Sequence, residues 1–105
     1  METKSLIIGE QKYLKFTITD KTTKLPLNLT GAIFELKMVN TAKTITKVDT
    51  DFNKDSVTLG IIKVLLTTSD LDTEGDFICQ LKTTFINGEI DKSEEFKIHV
   101  NDPII

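Results

Sequence analysis

The sequence predicts an all-β fold, an antiparallel sandwich of about seven to eight strands, on three observations. Short runs of alternating apolar and polar residues recur along the chain, each bounded by turn-forming residues. No stretch carries the apolar period of a helix. Residues 74–100, EGDFICQLKTTFINGEIDKSEEFKIHV, read as the closing hairpin of an immunoglobulin-like sandwich, with the aromatic Phe77 two positions before Cys79.

Each element follows from its local pattern. Residues 5–8 make a short first strand, and residues 13–19 a second, with Leu14, Phe16 and Ile18 on one face. Residues 20–32, DKTTKLPLNLTGA, hold Asp, Pro, Asn and Gly between two apolar runs, which predicts a connection with its own turn chemistry rather than a helix. Ala32, Phe34, Leu36 and Met38 then alternate with Ile33, Glu35, Lys37 and Val39 as a third strand. The polar, Thr-rich residues 40–55 contain an edge strand at 44–48, whose lysines discourage unwanted pairing. Val57 and Leu59 begin a further strand, and Ile62, Val64 and Leu66 form another after Gly60. Phe77, Cys79, Leu81, Thr83 and Phe85 line the apolar face of the next strand. Asn87-Gly88 favours a two-residue turn with positive φ at both positions, and Phe96, Ile98 and Val100 mark the return strand.

Length and composition bound the molecule. The 105 residues, 39% of them hydrophobic, suit one sandwich domain spanning 1–105. Net charge is −3, and all 13 basic residues are lysines scattered among 16 acids. Without arginine, the bidentate contacts that nucleic-acid binding favours are missing, so no nucleic-acid partner is expected. Leu6, Ile7 and Ile8 are too few for a signal-peptide core or a membrane span, which predicts a soluble, unexported chain with no membrane partner. The single cysteine excludes an intramolecular disulfide. Such a sandwich rests on packing and fits a reducing compartment.

No catalytic or cofactor-binding constellation stands out, and the chain is expected to be neither an enzyme nor a cofactor carrier. His99 falls on a polar strand face with no partner near it in sequence, and Cys79 falls on an apolar face where burial makes a thiol inert. Asn28-Leu29-Thr30 matches a glycosylation acceptor that an unexported chain never presents to the transferase. The stretch DLDTEGD places Asp70, Asp72 and Glu74 two apart before Gly75, like the opening of a calcium loop. Its closing carboxylate is missing, since Gln80 and Leu81 stand there. The expectation is therefore an acidic corner in which Asp70 or Asp72 bonds the local backbone. Four apolar residues fall out of phase with the core: Ile33 and Val39 on one strand, Ile61 and Leu65 on another. They are the candidate contact patch for a neighbouring protein or a second copy. A carbohydrate- or receptor-binding sandwich is the other reading, but sugar stacking needs exposed aromatic rings, Trp is absent and Tyr13 is the single tyrosine.

The order FTITD (16–20), PLNLTGA (26–32), IFELKM (33–38), SVTLGIIKVLLT (56–67), EGDFICQLKT (74–83) and NGEI followed by SEEFKIHV (87–100) resembles the N-terminal domain of phage upper baseplate proteins. Phe77 stands where tyrosine is common in that family. The resemblance implies an immunoglobulin-like sandwich in the tail-tip organelle of phages of Gram-positive bacteria, joining receptor-binding parts to the particle. Its implied work is assembly with other virion proteins or with its own copies, in a virion put together in the host cytoplasm.

Overall fold

The computed structural model describes residues 2–20 and 22–104. Nine strands follow one another: β1 (Thr3–Ile7), β2 (Lys12–Thr17), β3 (Ile33–Val39), β4 (Thr44–Lys47), β5 (Phe52–Asn53), β6 (Ile61–Leu66), β7 (Gly75–Thr84), β8 (Ile90–Lys92) and β9 (Phe96–Asn101). The larger sheet runs β1-β9-β7-β3-β4, with β8 also on β7, and the smaller runs β2-β6-β5. This is the strand order of a variable-type immunoglobulin sandwich. Every pair is antiparallel except β1 and β9, which run parallel from Thr3↔Lys97 to Ile7↔Asn101.

The core forms because each long strand buries alternate residues. Leu36 and Met38 of β3, Phe77 and Cys79 of β7, and Ile98 and Val100 of β9 meet Ile62, Val64 and Leu66 of β6, all fully buried. Leu14 of β2 and Leu71 from the β6–β7 connection complete the layer. Each such side chain contributes roughly 1.5–3 kcal/mol by leaving water. Cys79 is the single cysteine and is free and buried, so no disulfide within the chain joins the two sheets.

Five local expectations change. Residues Val57 and Leu59 belong to a 3-10 turn, Val57–Leu59, not a strand. Two apolar residues either side of one polar residue fit both conformations, and here the Leu59 and Gly60 amides close the turn onto Ser56 and Val57 carbonyls. β2 stops at Thr17, although the Ile18 amide still donates to the Gly60 carbonyl in the same register, while the Ile18 carbonyl accepts from the Leu27 amide of the following connection. The β7–β8 hairpin uses a longer loop than Asn-Gly suggests. Phe85 donates to Glu89, Gly88 donates back to Phe85, and Gly88 alone in the turn has positive φ, at 91°. The return strand is split into β8 and β9. Between them Ser93 stands in for the missing strand partner, its Oγ accepting from the Leu81 amide at 3.0 Å. The first strand starts at Thr3, and Ile8 follows it.

The 20–32 connection has the expected turn chemistry. The Asp20 carboxylate accepts from the Thr22 and Thr23 amides, and Asn28 accepts from the Thr30 amide and hydroxyl.

Candidate functional site

The acidic corner is organised around two lysines. The Asp70 carboxylate accepts from the amide and hydroxyl of Thr67 and pairs with the Lys47 ammonium at 2.6 Å, both side chains largely buried. Burial pushes its pKa up, and the Lys47 ammonium and Thr67 donors more than offset that, leaving it below the ordinary value. Asp72 pairs with Lys43 at 2.8 Å, and the same ammonium donates to the Ser69 carbonyl. Glu74 turns the other way, where Asp102 beside it holds its carboxyl above the ordinary range. Asp70, Asp72 and Glu74 therefore serve three separate partners. Among the described residues no group of three or more His, Cys, Asp or Glu side chains converges as a metal would need.

Cys79 is fully buried, and desolvation pushes its thiol up to about 12. His99 has a partner that the sequence did not reveal. Its Nδ1 bonds the Asp76 carboxylate across the β7–β9 pair, which raises the histidine pKa and lowers the aspartate's. Ser5 lies opposite His99 on β1, so Ser5, His99 and Asp76 stand side by side on one face. A serine–histidine–aspartate array of this kind suggests acyl transfer only where serine bonds histidine within a cleft. Here no hydrogen bond joins Ser5 to His99 among the described residues, and the array lies on an open sheet face.

The four out-of-phase apolar residues occupy two opposite faces. Ile33 and Val39 point outward from the larger sheet, 55% and 44% exposed, with the Glu35–Lys82 ion pair between them in register. Ile90 flanks Ile33 across Thr84, and Ile78 lies directly opposite Val39. Ile61 and Leu65 lie on the outer face of the smaller sheet, half-buried, opposite Thr17 and Tyr13. No single patch contains all four.

A cleft of about 430 Å³ opens at the loop end of the sandwich, between residues 19–30 and the β7–β8 hairpin. Asp20, Asn28, Thr30, Phe85, Ile86 and Glu89 are among its lining residues. Gly31 allows the hairpin to lean inward, since a Cβ there would lie 2.8 Å from Ile86 Cδ1. Variable-type domains carry their binding loops at this end, but that placement belongs to the fold and names no ligand.

The strand order and packed core define an immunoglobulin-like sandwich of variable type. Among solved structures, the N-terminal domain of phage TP901-1 ORF48 shares this fold, with a TM-score of 0.66 over 93% of this chain and 83% of that chain, at 12% identity. Murine CRIg aligns over 98% of this chain and 93% of that chain at 10% identity, with a TM-score of 0.47. No family model matches the chain, and no curated protein matches it. The resemblance to phage upper baseplate domains thus stands at the level of fold.

Proposed function

We propose that the chain is a non-catalytic structural module of a phage or prophage virion, which acts as one unit through protein–protein assembly. The observation that carries this reading is the fold shared with the N-terminal domain of phage TP901-1 ORF48 over 93% of the chain. The sequence resemblance to upper baseplate proteins points the same way, towards a place in the tail tip. Its partners are other virion proteins, met in the host cytoplasm and kept in the finished particle. Exposed isoleucine and valine on the outer face of the larger sheet supply apolar contact area for such partners, each large side chain contributing roughly 1.5–3 kcal/mol when fully covered.

Particles released by the strain that encodes the chain provide the test. After density-gradient purification, quantitative mass spectrometry should find the chain in a fixed ratio to the tail proteins. A chain that remains wholly in the particle-free lysate would sink the assembly reading.

A further inference from the structure

The three strands of the smaller sheet, KYLKFT, FN and IIKVLL, contain no acidic residue. In a chain with 16 acids and 13 bases, that leaves one sheet with charge of a single sign. At the centre of its outer face Lys15 and Lys63 stand directly opposite one another, with Asn53 on the far side of Lys63. Both lysines are exposed, and neither has an ion pair among the described residues. Like charges directly opposed across two strands destabilise the pair. Seven other lysines among the described residues do have an acidic partner within 4 Å, as Lys82 has Glu35 at 3.7 Å, which offsets its place opposite Lys92, and Lys97 has Asp76 at 3.6 Å.

Apolar groups frame the two ammoniums. Tyr13, 61% exposed, pairs with half-buried Leu65 on one side, and half-buried Ile61 lies on the other. The geometry points to a docking face for an acidic surface of a neighbouring virion protein, whose carboxylates meet Lys15 and Lys63 while its apolar groups cover Tyr13, Leu65 and Ile61. Carboxylates there relieve the repulsion between the lysines, and the rim removes water from the new ion pairs. This inference rests on the assembly reading above and adds the face and the chemistry of the partner.

Particles from a strain in which the gene is replaced by variants test both. Wild-type chain and Lys15→Arg with Lys63→Arg should enter particles equally, because arginine keeps the charge. Lys15→Glu with Lys63→Glu should enter about tenfold less or worse, with an unchanged melting transition. Lys15→Gln with Lys63→Gln, which removes charge without adding any, should fall between them and guards against a folding defect. Wild type missing from particles would overturn the assembly reading and this face with it. Wild type present and the glutamate pair equally present would overturn the face alone. Dimers of the isolated chain that vanish in the glutamate pair would also overturn it, since the occupant would then be a second copy.

Discussion

Asp70 and Asp76 each hold a basic partner, but in different surroundings, and the difference decides what each pair does. Lys47 and Asp70 have side chains only 14% and 16% exposed, so their attraction is poorly screened and removing one leaves a buried charge. His99 and Asp76 are half-exposed on the sheet face, where Lys97 also approaches Asp76 at 3.6 Å. Their bond appears as a pH dependence. Asp76 raises the histidine pKa above its ordinary 6.5, so the pair's stabilisation is present below 6.5 and is lost as pH rises through the raised value. At the acid end, His99 and Lys97 lower Asp76 below its ordinary 3.8, so the contribution is present above 3.8 and is lost as pH falls through the lowered value. Melting temperature should therefore decline from about pH 6.5 upward in the wild type. In His99→Gln that part of the decline should disappear, as differential scanning fluorimetry across the range will read. An identical slope in both proteins would remove the pair from the stability of the fold.

At the scale of elements, two glycines with similar backbones have different reasons to be glycine. Gly60 takes φ 75° at the end of its 3-10 turn, and a Cβ there would lie 2.6 Å from the Ile18 carbonyl oxygen and 3.0 Å from that of Leu27. Gly88 takes φ 91° at the hairpin tip with nothing within 4 Å. Gly88→Ala should thus cost only the conformational penalty of about 1 kcal/mol, and Gly60→Ala several kcal/mol more, because backbone on both sides must move. Urea unfolding of the two variants side by side measures the gap, and equal midpoints would mean that the Gly60 corner yields freely. The same corner shows where sequence reading stopped. Alternation was legible wherever one strand face is buried, as at Leu36, Met38, Phe77 and Cys79. It was ambiguous at Val57 and Leu59, whose spacing satisfies a strand and a 3-10 turn equally. Phase also showed that Ile33, Val39, Ile61 and Leu65 face outward, yet strand order alone assigns them to two different sheets. The alignment of Ser5, His99 and Asp76 was hidden for the same reason, because it depends on β1 lying beside β9. Asp70 bonding its local backbone could be read from the turn residues, whereas its partner Lys47 comes from another strand.

On the scale of the whole molecule, the parallel β1–β9 pair joins the two ends of the chain and should form last. Loop closure must be met before a non-local pair gains its contacts, and β1 with β9 is the most distant pairing in the sequence. Three antiparallel pairs are local, β5 with β6 in the smaller sheet and two hairpins in the larger one. β3 and β4 are joined by a turn in which the Asn40 side chain accepts from the Ala42 and Lys43 amides, and β7 and β8 by the Gly88 turn. Those hairpins then meet along β3 and β7, paired from Ile33↔Thr84 to Val39↔Ile78, which makes this seam the natural folding nucleus. Leu36 sits at its centre, fully buried and opposite Leu81. Leu6 packs half-buried from β1 against the core, opposite Val100. Leu36→Ala should lose about 3 kcal/mol, much of it as slower folding. Leu6→Ala should lose about 1.5 kcal/mol, nearly all of it as roughly tenfold faster unfolding with the refolding rate unchanged. Stopped-flow folding and unfolding in urea separates the two limbs. If Leu6→Ala slows refolding by its whole destabilisation, then the chain ends meet before the hairpins do, and the order of assembly proposed for this sandwich is reversed.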